Sequence, residues 1–235
     1  HVMARRQRQM CIRDSSRGAA TSRMSDSPIP TLVVMARWPA SGRCKRRLAT
    51  DIGNERASRI QQRLSAHTFA VAGALAEQGE VDLQVAMSGI SLQSTRRYLS
   101  SLPPCTLVDQ GKGNLGARMH RQIHHARFSQ KNKSVILIGT DLADLCPRDL
   151  RKAILTLQHQ PLVIGPSEDG GYWLLGLSPV VTFQQLNNFF FAMPWGSNKV
   201  FDLTCDRARE LGLMPYQLSM KNDSVCLSDR MPWQG

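Results

Sequence analysis

Two acidic residues follow the most strand-like run in the chain. Val135-Ile136-Leu137-Ile138 is unbroken apolar sequence, and Gly139-Thr140-Asp141-Leu142-Ala143-Asp144 comes directly after it. A short apolar run ended by glycine reads as a strand buried on both faces. Open α/β sheets bind ligands beyond the carboxyl ends of their strands. Asp141 would stand at that rim, with Asp144 one loop turn further on. Two carboxylates there can hold a divalent cation through hard oxygen ligands, and the cation can hold phosphates. The competing reading is that either acid caps the helix beginning near Pro147.

Positive charge gathers after an earlier strand. Thr31 to Ala36 reads as that strand, and Arg37 to Leu48 as a loop broken by Pro39 and Gly42. Arg43, Lys45, Arg46 and Arg47 crowd its far end. A charge run is usually a solvated face. Placement just beyond a buried strand favours phosphate binding, with Lys45 as a mobile point charge and Arg47 as a bidentate fork.

Two further stretches carry chemistry. Gln110 to Met119 is a glycine-rich loop opening a helix whose buried face is Leu115, Met119 and Ile123. Backbone N–H groups at such a start suit a diphosphate or a base edge. In Pro166 to Gly176, Glu168 and Asp169 precede Gly170-Gly171, and a glycine pair lets backbone approach a ligand closely. Tyr172 or Trp173 could stack on a sugar or base, or fill a core. His120 and His124 lie four apart with His125 adjacent, but no third metal ligand is near, so a surface pair is the better reading.

The elements that must position these groups alternate between strand and helix. Asn54 to Gln78 reads as a helix with Ile60, Leu64, Val71 and Leu75 in one stripe, capped by Asn54 and stopped by Gly79. Val81 to Met87 reads as a strand, Leu92 to Leu102 as a helix and Cys105 to Val108 as a short strand. Pro147 to Gln158 is a further helix, with Leu150, Ile154 and Leu157 inward. Leu162 to Gly165 is a strand. A last helix is expected from Pro194 to Leu211, with Val200 and Leu203 inward.

The 235 residues fit one large α/β domain, and 42% hydrophobic content supplies its core. No apolar run is long enough to span a bilayer, so a soluble chain is expected. The six cysteines are scattered without C-x-x-C spacing, which suits free thiols in a reducing cytoplasm. Net charge is +12, of which residues 1–30 contribute +4 through six arginines and two aspartates. That arm has no apolar periodicity and reads as disordered, a non-native extension with Met24 as a plausible initiator. The single fold is expected over 31–235. The remaining charge favours phosphorylated or polyanionic ligands.

Five blocks in order resemble a known family: A-R-W-P-A-S-G-R-C-K-R-R-L, G-N-L-G-A-R-M, I-G-T-D-L-A-D-L, G-P-S-E-D-G-G-Y-W-L-L-G-L and M-P-W-G-S. From about Thr31 to Leu213 they are similar to the rSAM/selenodomain-associated transferases of the GT-A glycosyltransferase superfamily. Some of those are described as arsenosugar biosynthesis glycosyltransferases. The resemblance implies a nucleotide-diphospho-sugar transferase fold, with a mostly parallel mixed sheet flanked by helices. It implies Arg37, Gly42, Lys45, Arg47 and Thr140 near phosphates, and Asn114, Leu115, Gly116 and Arg118 on the nucleotide side. Asp141, with Asp144, would hold Mg2+ or Mn2+. Asp169, Gly170, Gly171, Tyr172 and Trp195 would line the sugar or acceptor side. The chain departs from the family at Ala143, where proline is usual, at Arg46, where threonine is usual, and at Asp223-Ser224-Val225, where a D-V-D-like element is expected.

The expected activity is therefore sugar transfer from a nucleotide-diphosphate donor to a small-molecule acceptor. The cation and Lys45 with Arg47 would neutralise the leaving diphosphate, and Glu168 or Asp169 would act as general base. The alternative is nucleotidyl transfer from a nucleoside triphosphate, because P-x-x-G-x-x-K-x-R-L also resembles phospholactate and molybdenum-cofactor guanylyltransferases. A third reading is a nucleic-acid binder on an inactive transferase fold. The absence of interleaved basic and aromatic residues counts against it.

Overall fold

The computed structural model describes residues 28–128 and 133–222. The N-terminal arm, but for its last three residues, and Asp223-Ser224-Val225 lie outside the described residues. Seven strands form one sheet in the order β3-β2-β1-β4-β6-β5-β7. β1 (Thr31–Arg37), β2 (Asp82–Ser88), β3 (Thr106–Asp109) and β4 (Val135–Ile138) pair in parallel. β6 (Tyr172–Leu177) runs antiparallel to β4 and to β5 (Leu162–Pro166), and β7 (Pro215–Gln217) is parallel to β5. The expected mixed, mostly parallel sheet is thus the one observed.

Strand alternation divides the core into two layers, because successive side chains leave opposite faces. Leu32, Val34 and Ala36 enter one core with Phe69 and Leu75 of α2 (Asn54–Glu77) and Leu150 and Ala153 of α5 (Pro147–Thr156). Val33 enters the other, with Met119 and Ile123 of α4 (Leu115–Phe128), Leu186 and Phe189 of α6 (Phe183–Phe190), and Cys205 of α7 (Val200–Glu210). All four β4 side chains are buried, as a strand covered on both faces requires. Trp173 belongs to the core, 5% exposed, with its indole N–H donating to the Ser219 carbonyl.

Several boundaries differ from the sequence reading. Arg46–Ile52 is a helix, α1, where a loop was expected as far as Leu48. It buries Leu48 alone, so no stripe announces it. Helix α3 (Leu92–Tyr98) stops short of the expected end at Leu102. Gly53, not Asn54, is the N-cap of α2. The buried face of α2 runs through Ala57, Gln61, Ser65 and Thr68, small and polar residues that an apolar stripe cannot reveal, while Ile60 is half-buried. Helix α5 is capped at Cys146, whose backbone N–H donates to the Asp149 carboxylate, so neither Asp141 nor Asp144 serves as its cap. Pro194 to Lys199 forms turns, and α7 begins only at Val200.

Candidate active site

The chain lays β2 and β3 outward on one side of β1, then returns to place β4 on the other. That reversal is the topological switch point at which open α/β sheets bind ligands. The β5 strand has the same direction as β4, since both are antiparallel to β6. The turn after β5 therefore reaches the same rim as the loops after β1 and β4.

A lysine and an aspartate meet across this switch point. Lys45 Nζ lies 3.0 Å from Asp141 Oδ1, joining the loop after β1 to the loop after β4. Lys45 holds a left-handed backbone, φ 44° and ψ 49°, at the start of α1. A non-glycine residue kept in that region costs on the order of 1 kcal/mol or more and persists where the surroundings impose it. The Lys45 side chain is 16% exposed and that of Asp141 is 50% exposed, so the acid faces the rim and the amine is sheltered behind it. Buried Cys44 donates its thiol to the Ala40 carbonyl beneath this loop, and burial pushes that thiol's pKa up.

Two cavities open along this rim, the second of them walled by Asp141. Arg37, Arg43, Arg46 and Arg118 line one of about 330 Å3, with Trp38 and the Ser88-Gly89 turn after β2. Four guanidinium groups with no acidic lining residue have the charge to attract an anion. Arg118 is held there by its Nε donating to the Gly113 carbonyl, so the glycine-rich loop positions a base rather than presenting only its own N–H groups. The second cavity, about 310 Å3, lies between β1, β4, β6 and the start of α4. Asp141 and Asp169 are both on its wall, together with Leu115, Met119, Tyr172 and Trp195.

Asp169 is fixed by its own turn. Its Oδ1 accepts from Ser167 Oγ at 2.7 Å and from the Gly171 N–H at 2.9 Å. Gly170 makes the turn possible twice over: its φ is +83°, and a Cβ would come within 2.1 Å of the Asn198 carbonyl oxygen. Gly116 has an analogous role, because a Cβ there would strike the Trp195 ring at 2.6 Å. Tyr172 stays neutral, since burial raises its phenol well above the ordinary range.

The remaining expected site residues divide sharply. Asp144 turns away from Asp141: its Oδ2 is 2.9 Å from Lys221 Nζ, which also pairs with Asp149. The structure therefore does not pair the two expected carboxylates, and among the described residues no group of three His, Cys, Asp or Glu side chains could hold a metal. Thr140 is buried, and its hydroxyl and carbonyl accept from Gln61, so it braces α2 instead of meeting phosphate. Arg47 is exposed on α1 and lines neither cavity. Glu168 is exposed, lines neither, and uses its backbone N–H on the Lys221 carbonyl. Asn114 accepts from the Ala117 N–H as the cap of α4, so its side chain shapes the loop. Gly42 supplies a turn at φ +73°. Leu115 is 45% exposed at the cavity mouth and not in the helix core. His120 and His124 pack against Phe183. Arg43 and Arg46 were named from the sequence as members of the basic run but given no individual role. Their place in the basic run was the available signal, but which of its members face inward depends on the left-handed turn at Lys45.

This is the fold of transferases that act on nucleotides. A protein of Desulfovibrio desulfuricans G20, provisionally assigned as a nucleotide-diphospho-sugar transferase, is 25% identical with a TM-score of 0.73, over 83% of this chain and 81% of that one. CMP:2-keto-3-deoxy-manno-octonic acid synthetase in complex with CTP is 13% identical with a TM-score of 0.50, over 82% and 90% of the two chains. The 4-diphosphocytidyl-2C-methyl-D-erythritol synthase of Anaerococcus prevotii DSM 20548 is 7% identical with a TM-score of 0.53, over 86% and 94%. No curated protein sequence matches the chain. The chain belongs to a family described as an uncharacterized protein conserved in bacteria, DUF2064, whose model matches residues 69–197.

Proposed function

We propose that the protein transfers a sugar from a nucleoside-diphosphate donor to a small-molecule acceptor. The observation that carries this reading is the Lys45–Asp141 pair, on a rim that also bears an arginine-lined cavity and a cavity walled by Asp141 and Asp169. The arginine cavity takes the diphosphate, where Arg37, Arg43, Arg46 and Arg118 neutralise charge that grows as the sugar bond breaks. Lys45 stands at the boundary and meets the leaving oxygen. Asp169 receives the acceptor's hydroxyl proton while that oxygen bonds to the anomeric carbon. The old carbon–oxygen bond breaks with its electron pair passing to the diphosphate. Its two fixed hydrogen bonds hold the carboxylate in place for that role. A divalent cation would find one protein carboxylate here: Asp141 would hold Mg2+ or Mn2+ together with substrate phosphate oxygens, and the ion would supply further neutralisation.

Nucleotidyl transfer is the second reading, favoured by one observation: four guanidinium groups can balance a triphosphate as readily as a diphosphate. The products separate the two. Incubation with nucleotide sugars and acceptor mixtures should release nucleoside diphosphate. Release of pyrophosphate from a nucleoside triphosphate would replace the first reading with the second, and no nucleotide stabilisation in a thermal-shift panel run with and without Mn2+ would overturn both.

A further inference from the structure

We infer that the cavity between β1, β4 and β6 takes an alcohol with an apolar body and a single reacting hydroxyl, and not a polyol. The inference rests on the transferase reading and names the acceptor's chemical class.

The larger part of the cavity's wall is apolar. Met35, Leu137 and Ile138 come from the sheet, Leu115 and Met119 from α4, and Trp195 from the turn before α7. The polar side chains that reach it are already engaged. Ser167 Oγ donates to Asp169, Ser197 Oγ accepts from the Lys199 N–H, the Tyr172 hydroxyl is directed at Met119 Sδ, and Asp141 pairs with Lys45. Even the wall's own Trp195 Nε1 is buried without an acceptor. With those side chains engaged and the Trp195 N–H covered, most hydroxyls of a sugar would lose water without replacement. One hydroxyl is provided for, at Asp169.

The remaining body would rest on thioether, leucine and indole surfaces. Methionines adapt to irregular apolar shapes, which suits Met35 and Met119 as facing walls. Leu115 supports the same conclusion from the mouth. It is the first residue of α4 and stays 45% exposed beside the opening, where a polar residue would cost nothing in the free protein. A volume of about 310 Å3 lies at the lower end of small-molecule sites, so the body is compact.

Ligand-observed NMR titration of the full chain tests this with two probe sets, run with and without UDP and GDP. The apolar set is 2-phenylethanol, cyclohexylmethanol and 1-hexanol. The polyol set is methyl β-glucopyranoside, glycerol and inositol. At least one apolar alcohol should bind saturably and five-fold or more tightly than every polyol. Leu115→Asn, at an exposed position, should weaken it at least three-fold. Met119→Gln should do the same if folded, and Leu115→Asn keeps the test valid if it is not. A polyol binding as tightly as the best apolar alcohol would overturn the inference, as would no apolar alcohol binding, or equal affinity in Leu115→Asn. UDP and GDP both failing to bind while the alcohol preference holds would strike the transferase reading and leave the cavity's selectivity standing.

Discussion

Lys45 and Asp141 were legible as separate candidates, and the structure makes them one device. Each follows a buried strand, and the parallel pairing of β1 with β4 brings those strand ends together. Asp144 failed as a partner because sequence spacing cannot show that the chain after Asp141 turns under Lys221. Thr140 and Arg47 were misplaced for different local reasons: Thr140 turns inward to Gln61, a direction that residue types do not encode, and Arg47 falls on the exposed face of α1, a helix that no apolar stripe announces. In the free protein each member of the pair answers the other's charge. Removing Lys45 leaves an acid at the mouth of an anion site and removes a charge-assisted phosphate contact, the strong kind. Lys45→Ala should therefore weaken nucleoside-diphosphate binding ten-fold or more by titration calorimetry, with the melting temperature changed by only a few degrees. Asp141→Asn removes a repelling charge from the same place. Without divalent metal it should bind the diphosphate as tightly as the parent or more tightly, and with Mn2+ present it should lose whatever gain the parent shows. Equal affinities for parent and both variants, with and without Mn2+, would remove the pair from the site.

Among the elements, those with full apolar patterns were read to within a residue or two, and those held by polar contacts were not. β1 and β4 belong to the first group, while α2 was bounded as closely on a buried face that is only partly apolar. The second includes α1, with one buried residue, and β7, which is three residues long. The segment following β7 matters most among these. Leu218 enters the core, and the Ser219 carbonyl accepts from Trp173. Lys221 makes a bridge with Ser167 and places its ammonium against Asp144, Asp149 and the Trp173 ring. It thereby clasps the turn carrying Asp169 to the loop carrying Asp141. Burial by itself would lower the Lys221 pKa, but hydrogen bonds and charge from Asp144 and Asp149 more than offset it, so the net shift is upward. A raised lysine contributes stability that is fully present below its unfolded pKa and is lost as pH rises through the folded one. Lys221→Met should thus lower the melting temperature at pH 7 to 9, and the gap to the parent should narrow above pH 10.5. A gap that is constant from pH 7 to pH 11.5 would show that the lysine's charge plays no part in the clasp.

At the scale of the whole molecule, the sheet decides where chemistry can occur. Alternating strand and helix patterns were enough to read an α/β fold with strands buried on both faces, and the resemblance to GT-A transferases supplied the mostly parallel mixed sheet. The antiparallel insertion of β6 between β4 and β5 was not legible, since strand order leaves no trace in residue periodicity. Yet that insertion is what carries Asp169 to the rim beside Asp141. The rim concentrates arginines from distant parts of the chain, and this has a consequence for the overall charge of +12. Charge gathered inside a cavity of about 330 Å3 suits a compact phosphate ligand, whereas duplex DNA needs a broad basic face. Residues 1–27 contribute a net +4, all of it outside the described fold, while β1 takes its first backbone bond from Thr31 to Ser134. Removing residues 1–27 should consequently leave the melting temperature within about two degrees of the parent and nucleoside-diphosphate affinity within two-fold. It should also abolish any binding of random duplex at physiological salt. Duplex binding that survives the truncation, and weakens with the steep salt slope of many phosphate contacts, would show that the basic surface of the fold itself is built for nucleic acid.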